Sequence, residues 1–411
     1  MSPTDTGPGD DPGDGAEAPM APEELFVSRT DRHGLILAGN AVFRRMAGHD
    51  WGRLIGAPHK LIRHPDTPSG LFRLFWDRLQ DGRKVGAYVK NRCADGRYYW
   101  VFAVAIPVGD GFISVRLKPT GPMLGRIMPV YAAVRRRELD ERLDPAAARD
   151  ALLAALGVIG FDSYDDFMAT AVEAEFGARE TLLKRTPNRA VAHGRTLIAA
   201  IASARDNAAR IGRMFEEIRG VPTNIRILAA QLEQGGGPIG VISTNHTALS
   251  EEMLAGVAEF RAATDRAVTA INAALFVACA SALFAEVADT YCGEADLPAE
   301  FDAGAETGRM REAALRCDAD VQQALGTVAA QARIFAKLAT GVKRHVAGLD
   351  VTRIMCKIEN ARLGGKSNGL SEIIDNLEEV QSRISVELAE IERASRAILT
   401  GADRSRKRHA A

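Results

Sequence analysis

The sequence predicts an α+β domain, an antiparallel sheet with flanking helices, followed by an all-α region of long-helix hairpins in a coiled-coil bundle. Three observations carry this. Between residues 23 and 119 strand-like and helix-like segments mix around a hairpin signal, Asp95-Gly96, set between VGAYVKNRC and RYYWVFAVAI. An Asp-Gly pair tolerates the positive φ of a tight hairpin turn. From Val130 onward proline nearly vanishes while Ala, Leu, Ile, Arg and Glu dominate. There, Leu197, Ile201, Ala204, Ala208, Ile211, Phe215 and Ile218 follow at alternating steps of 4 and 3, which puts one apolar seam on a long helix.

Composition narrows the function classes. A chain of 411 residues with 46% apolar content is expected to form two or three domains with buried cores. A net charge of −1 makes no global electrostatic case for nucleic acid. The five cysteines, Cys93, Cys279, Cys292, Cys317 and Cys356, include no C-x-x-C pair and read as reduced thiols of a cytosolic protein. No apolar run is read as approaching the roughly 20 residues a membrane-spanning helix needs, and the chain start lacks a basic stretch followed by an apolar one. A soluble, cytoplasmic protein is expected. No Walker loop, H-E-x-x-H, nucleophile elbow or catalytic-triad spacing occurs, so no enzyme is expected.

In order along the chain, residues 1–22 are rich in Pro, Gly and Asp and are expected to be a disordered acidic tail. Within 23–119, LFVSRT and LILAG read as strands, a short helix starts from Asn40, a second runs from Ser69 to Leu79, and three strands follow. Residues 120–186 form a helical connector. A first hairpin spans 187–290 with its tip at 235–240, where Gly235-Gly236-Gly237-Pro238 stops the helix, and Pro222 is expected to kink its first arm. A second spans 301–400 with its tip at 364–369; Leu377, Val380, Ile384, Leu388 and Ile391 keep the spacing of 3 and 4 on its last arm. Residues 401–411 are a basic tail, expected to fray. Two hairpins in one chain allow a single-chain, pseudo-dimeric four-helix bundle, with a homodimer as the alternative.

Chemistry concentrates in PHKLIRHPDTP, residues 58–68, where two histidines, an arginine, an aspartate and three prolines suit a polar turn-rich loop. That loop and its surroundings carry an ordered set of matches. These are Asn40 and Phe43, then Gly56, Pro58, His59, Arg63, His64, Pro65, Asp66 and Pro68, then Phe75 and Trp76, then Val89 to Arg92, then Gly96, Tyr98 to Val101, and finally Ser114 and Arg116. In order and spacing this resembles the PAS domain of aerotaxis-receptor-type sensors. Where that pattern has P-W-x-G this chain has Lys84-Val85-Gly86-Ala87.

The resemblance implies a PAS fold, bound FAD and a redox or oxygen signal relayed to partner proteins. A flavin ring needs aromatic or aliphatic faces and a few placed polar groups. Trp76, Tyr99 and Trp100 are the expected faces, and Asn40 and Asn91 the expected amides at the ring edge. Arg63, His59 and His64 are expected at the diphosphate or adenine end. Phe43 and Asp66 complete the candidate set. The alternatives are a haem-binding PAS domain with His59 or His64 as axial ligand, and a cofactor-free PAS docking or dimerisation module on a helical scaffold.

The hairpin tips resemble, weakly, those of methyl-accepting chemotaxis proteins. IENARLGGKSNGL at 358–370 matches at Glu359, Ala361, Arg362, Gly364 and Gly369, and Thr223 and Asn224 match the other arm. The resemblance implies chemotaxis-type signalling proteins as partners. Glu251-Glu252 fits a loose methylation consensus but reads as a solvated helix face.

Overall fold

A computed structural model describes residues 15–218, 220–232, 238–294, 297–298, 301–362 and 368–409. Two compact units form: residues 1–191 with 272–321, and residues 192–271 with 322–411.

The first unit is built on five antiparallel strands, β1 (Leu25–Asp31), β2 (Ile36–Gly39), β3 (Val85–Arg92), β4 (Tyr98–Val108) and β5 (Gly111–Leu117). Their order across the sheet is β2-β1-β5-β4-β3. The Asp95-Gly96 turn closes the β3–β4 hairpin as expected: Gly96 takes φ 89°, and Arg92 pairs with Tyr98. Between β2 and β3 lie α1 (Ala41–Ala47), α2 (Trp51–Leu54), a single 3-10 turn (His59–Ile62) and α3 (Ser69–Gln80). Asn40 caps α1, its side chain accepting from the Phe43 backbone N–H.

Period-two alternation gives the sheet two different faces. Toward α3 point Ser28, Thr30, Val89, Asn91, Ala103, Ala105, Ser114 and Arg116. Helix α5 (Pro145–Val158) packs on α3, while the other face meets later helices, α4 (Met123–Asp140), α6 (Tyr164–Leu182), the end of α9 (Pro238–Tyr291) and the start of α10 (Ala303–Arg362). There Tyr88 meets Phe167 at 6.4 Å between ring centroids and Trp100 meets Tyr131 at 6.3 Å. Arg29 of β1 makes a fork of bonds to Glu306 at 2.8–3.1 Å, Lys84 pairs with Asp320, and the Tyr291 hydroxyl donates to the Gly39 carbonyl at 3.2 Å. The buried Glu175 carboxylate joins α6 to this face, accepting from the Tyr88 hydroxyl at 2.6 Å and from the Thr120 and Gly121 backbone N–H groups at 2.7 Å each.

The second unit gathers α7 (Arg189–Glu217), α8 (Val221–Leu232), α11 (Asn368–His409) and the remaining lengths of α9 and α10. Phe260 packs on Phe335 at 5.3 Å, Arg210 pairs with Glu387 at 3.0 Å, Arg205 with Asp265 at 3.5 Å and Lys343 with Glu392 at 3.3 Å. These contacts link α9 to α10, α7 to α11, α7 to α9 and α10 to α11, so one chain closes a four-helix arrangement. The seam Leu197, Ile201, Ala204, Ala208, Ile211, Phe215 and Ile218 is buried throughout. The helix breaks between Glu217 and Val221, leaving Pro222 in the first turn of α8, where its missing N–H has no partner to lose.

Several expectations change. The acidic tail does not extend to residue 22: Ala18 and Met20 are buried, and the Ala18 N–H donates to the Tyr98 carbonyl at 2.7 Å. Helix α11 continues to His409, through the stretch read as a basic tail. Among the described residues one helix, Gly240–Tyr291, is long and apolar enough to cross a membrane, contrary to the sequence reading; 72% of its most apolar window is buried inside the fold, as in a core helix. The tip glycines Gly235 to Gly237 and Gly364 lie outside the described residues.

Candidate functional site

A cavity of about 480 Å³ lies between the inner sheet face and α3. Its floor is Val89, Ala103 and Ala105, small side chains that leave room over the sheet, and its walls include Phe72, Trp76 and Phe112. Trp76 is held edge-on to Phe112 at 5.7 Å, which fixes one aromatic wall. The volume and apolar lining suit a small organic ligand.

Three polar groups of the cavity wall make the site chemically specific. Asn91 is buried, and among the described residues its Nδ2 makes no hydrogen bond, although the Tyr99 hydroxyl, also unbonded, lies close enough to interact with it; the Ser114 hydroxyl lacks a partner too. Such orphans cost on the order of 1–3 kcal/mol each unless a ligand or water meets them. Arg116 is buried and donates to Ser28 Oγ at 2.7 Å and to His59 Nε2 at 2.9 Å, with its guanidinium over the Phe26 ring. Both acceptors are neutral, and no carboxylate pairs with it among the described residues. Burial lowers its pKa to about 10, against a smaller upward pull from Tyr99. His59, held between Phe43 and Arg116, is pushed down to about 3 by burial and then by the Arg116 charge. It is therefore neutral, with its ring proton on Nδ1.

The loop of residues 58–68 is stitched to β3, and that stitching divides its residues. Thr67 Oγ1 donates to the Lys90 carbonyl at 2.8 Å, and Arg63 bridges to Asn91 across the backbone. His59 and Arg63 line the cavity, with the Arg63 guanidinium stacked over Phe72 at 4.0 Å. His64 and Asp66 face away. Asp66 is exposed and binds Lys90 at 2.6 Å, and the backbone N–H of Asp66 donates to His64 Nδ1 at 3.1 Å. The Lys90 bond, with the nearby charges of Lys90 and His64, holds the Asp66 carboxyl below the usual range. These two knit the loop rather than meeting a ligand in the cavity.

Other expected positions also separate. Asn40 is fully engaged: Oδ1 accepts from Val27 N at 3.0 Å and Phe43 N at 3.1 Å, and Nδ2 donates to the Leu25 carbonyl at 2.9 Å. It therefore ties α1 to β1 and has no amide edge to spare. Phe43 is entirely buried, stacked on Phe26 at 5.7 Å beneath the site. Tyr99 packs edge-on against Phe26 at 6.1 Å and does not line the cavity. Trp100, its neighbour on β4, projects from the opposite sheet face against Tyr131, so it supplies no cavity wall. Arg116 and Ser114 were matched in sequence but not read as site residues; an inward arginine within the apolar strand FISVRL was the available signal.

Residues 36–113 match the family model described as PAS fold. The aerotaxis receptor of Escherichia coli (strain K12) is 32% identical over 130 residues, covering 30% of this chain and 26% of that protein. The match thus spans about a quarter of the length of that relative. Among solved structures, a Rhodobacter sphaeroides LOV protein is 18% identical over 33% of this chain and 86% of its own, with a TM-score of 0.23. A PAS domain from Colwellia psychrerythraea is 18% identical over 23% of this chain and 85% of its own, with a TM-score of 0.20. The chain therefore carries a PAS domain similar to that of an aerotaxis receptor, followed by long helices of coiled-coil type.

Proposed function

We propose that this chain is a non-enzymatic sensory protein whose PAS cavity holds a flavin, FAD by the family resemblance, and whose helices carry the redox state to partner proteins. The observation that carries the reading is the set of unmet polar groups in one apolar cavity: Asn91 Nδ2, Ser114 Oγ and an Arg116 guanidinium without a carboxylate. These fit a flat, mostly apolar ring with a polar, charge-changing edge. A bound flavin supplies reversible uptake of electrons coupled to protonation. Asn91 and Ser114 offer it hydrogen bonds, Arg116 a fixed positive charge, and Trp76 and Phe72 apolar faces.

Haem is disfavoured, because His59 Nε2 is occupied by Arg116 and His64 points out of the cavity. On the opposite sheet face, Arg29 and Lys84 grip α10 and Tyr88 grips α6 through Glu175. A change in the charge met by Arg116 or Asn91 can move those helices only through its different interaction with two packings of the sheet. Chemotaxis-type signalling proteins are the partner class that the relative's name suggests, and the free cysteines, four of them buried, fit a reducing cytoplasm.

The test is the absorbance of freshly purified full-length protein, with chromatography of the released cofactor. Flavin bands and recovered FAD are expected. A Soret band would replace this reading with a haem sensor, and a colourless protein that takes up no flavin on reconstitution would leave the docking module.

A further inference from the structure

One level of the four-helix arrangement in the second unit breaks its apolar pattern. On α9, His246 has no exposed surface; its Nδ1 meets Ser250 Oγ at 3.3 Å, and Nε2 makes no hydrogen bond among the described residues, whichever ring nitrogen holds the proton. On α11, Gln381 is buried, and neither polar atom of its amide is bonded among the described residues. Contacts between helices fix the level. Glu252 of α9 meets His345 of α10 at 3.2 Å, and a Cβ at Gly348 would lie 3.1 Å from the Leu249 side chain, so one turn further along these antiparallel helices His246 comes level with Thr352. Thr352 already donates its hydroxyl to the Gly348 carbonyl at 3.1 Å. Arg353 pairs with Glu378 at 2.5 Å and Arg383 with Glu217 at 3.2 Å, which sets Gln381 within a turn of Thr352 and level with the gap between Glu217 and Val221, where α7 gives way to α8. A broken helix and two buried side chains with unmet polar atoms therefore share one stretch of the bundle.

We infer that this stretch is a joint, at which the arms leading to the hairpin tips, residues 221–232, 238–246, 352–362 and 368–381, open without the rest of the bundle, and that a proton on His246 drives the opening. The inference needs no cofactor and stands apart from the flavin reading. Unmet polar atoms weaken the closed packing, because water satisfies them once the arms part. Segments of low local stability separate first. The histidine adds pH dependence: burial holds its pKa down to about 4, against a smaller upward pull from its own backbone, and no charged neighbour among the described residues shares in that shift. The charged groups around this level pair with one another rather than with His246: Glu252 with His345, Arg353 with Asp350 and Glu378, Lys357 with Glu378, and Arg383 with Glu217. Glu251 on α9, Arg226 on α8 and Glu379 on α11 are exposed. In the open arms His246 titrates near 6.5, so the open form binds the extra proton between about pH 6.5 and 4, and opening is favoured as pH falls through that window.

The experiment is site-resolved hydrogen exchange of the full-length protein at pH 7 and pH 5, with exchange times scaled to the intrinsic rates and circular dichroism as the folding check. The four arm segments are expected to open roughly twentyfold more readily at pH 5, the ratio that pKa values of 6.5 and about 4 give, while residues 255–271 and 325–342 keep their protection. Gln381→Leu, which removes the unmet amide, should slow opening of the arms about tenfold at both pH values. His246→Leu should slow it as well and remove the pH response; where Leu disrupts folding, His246→Gln, which keeps a polar group but cannot titrate, carries the same comparison. His345→Gln should leave the response in place, since His345 is paired with Glu252. Protection that falls equally along the whole bundle, a pH response that survives in the His246 variants, or arms that open no more slowly in Gln381→Leu would each overturn the joint.

Discussion

Arg116 Nη2 lies 2.9 Å from His59 Nε2, and because a guanidinium only donates, this contact decides the protonation of the histidine. A second proton on the ring would face the guanidinium directly. The pKa of about 3 is the consequence of that geometry together with burial.

The first prediction concerns pH. Unfolded, His59 takes up its proton near pH 6.5; folded, only near 3. Between those values the unfolded chain binds more protons. The contribution to stability is therefore complete above about pH 6.5 and is lost as pH falls toward 3, at up to ~1.4 kcal/mol per pH unit. His59→Gln keeps an acceptor for Arg116 but cannot titrate. Urea midpoints at about pH 7 and pH 5 should fall less for the variant than for the native chain; equal falls would remove His59 as the cause.

The second prediction separates two asparagines that the sequence treats alike. Asn40→Ala removes a helix cap, worth about 1 kcal/mol, and strands the buried Val27 N–H and Leu25 carbonyl, so a total loss of ~2–4 kcal/mol is expected. Asn91→Ala removes an amide nitrogen that makes no hydrogen bond among the described residues, so stability should stay within ~1 kcal/mol. Flavin content on purification should fall for Asn91→Ala all the same. Comparable destabilisation by both variants would contradict this division.

The two outcomes show what was legible beforehand. The strands, the hairpin at Asp95-Gly96 and the helical seam are local patterns, and sequence periodicity reports them well. Tyr99 and Trp100 could also have been sorted, since neighbours on a strand cannot share a face. The duty of Asn40 was hidden, because the N-cap reading and the ligand reading use the same amide, and only the pairing of β1 with α1 decides between them. The return of Glu294, Glu306 and Asp320 to the PAS domain has no local signature at all, since their partners lie more than 200 residues earlier in the chain.

Glu175 supports a third prediction. Its carboxylate has no exposure and is held by the Tyr88 hydroxyl and two backbone N–H groups, with no cation bonded to it. Glu175→Ala strands one buried and two half-buried donors and should cost ~2–4 kcal/mol, measured by urea denaturation. Tyr88→Phe removes one donor of the set and should cost about 1 kcal/mol. In the double variant the losses should fall short of their sum, because both remove the same bond. Strict additivity would mean that the Tyr88–Glu175 contact contributes nothing.

The last prediction uses two glycines of adjacent helices. At Gly70 in α3 an added Cβ would lie 2.3 Å from the Ala148 carbonyl carbon and 2.4 Å from Arg149 N in α5. Those are backbone atoms, which cannot swing aside as a flexible side chain can. Gly70→Ala should therefore push α3 and α5 apart at a cost of ~1–3 kcal/mol or more. Phe72 and Trp76 on α3 and Pro145 at the start of α5 all line the cavity, so the same displacement should also loosen any bound flavin. Gly157, in α5 itself, meets nothing within 4 Å, and Gly157→Ala should be neutral or stabilising by up to ~1 kcal/mol through helix propensity. Thermal denaturation of both variants with flavin retention read alongside decides the matter: if Gly70→Ala matches Gly157→Ala in both, the close packing of α3 on α5 does not hold the cavity's shape.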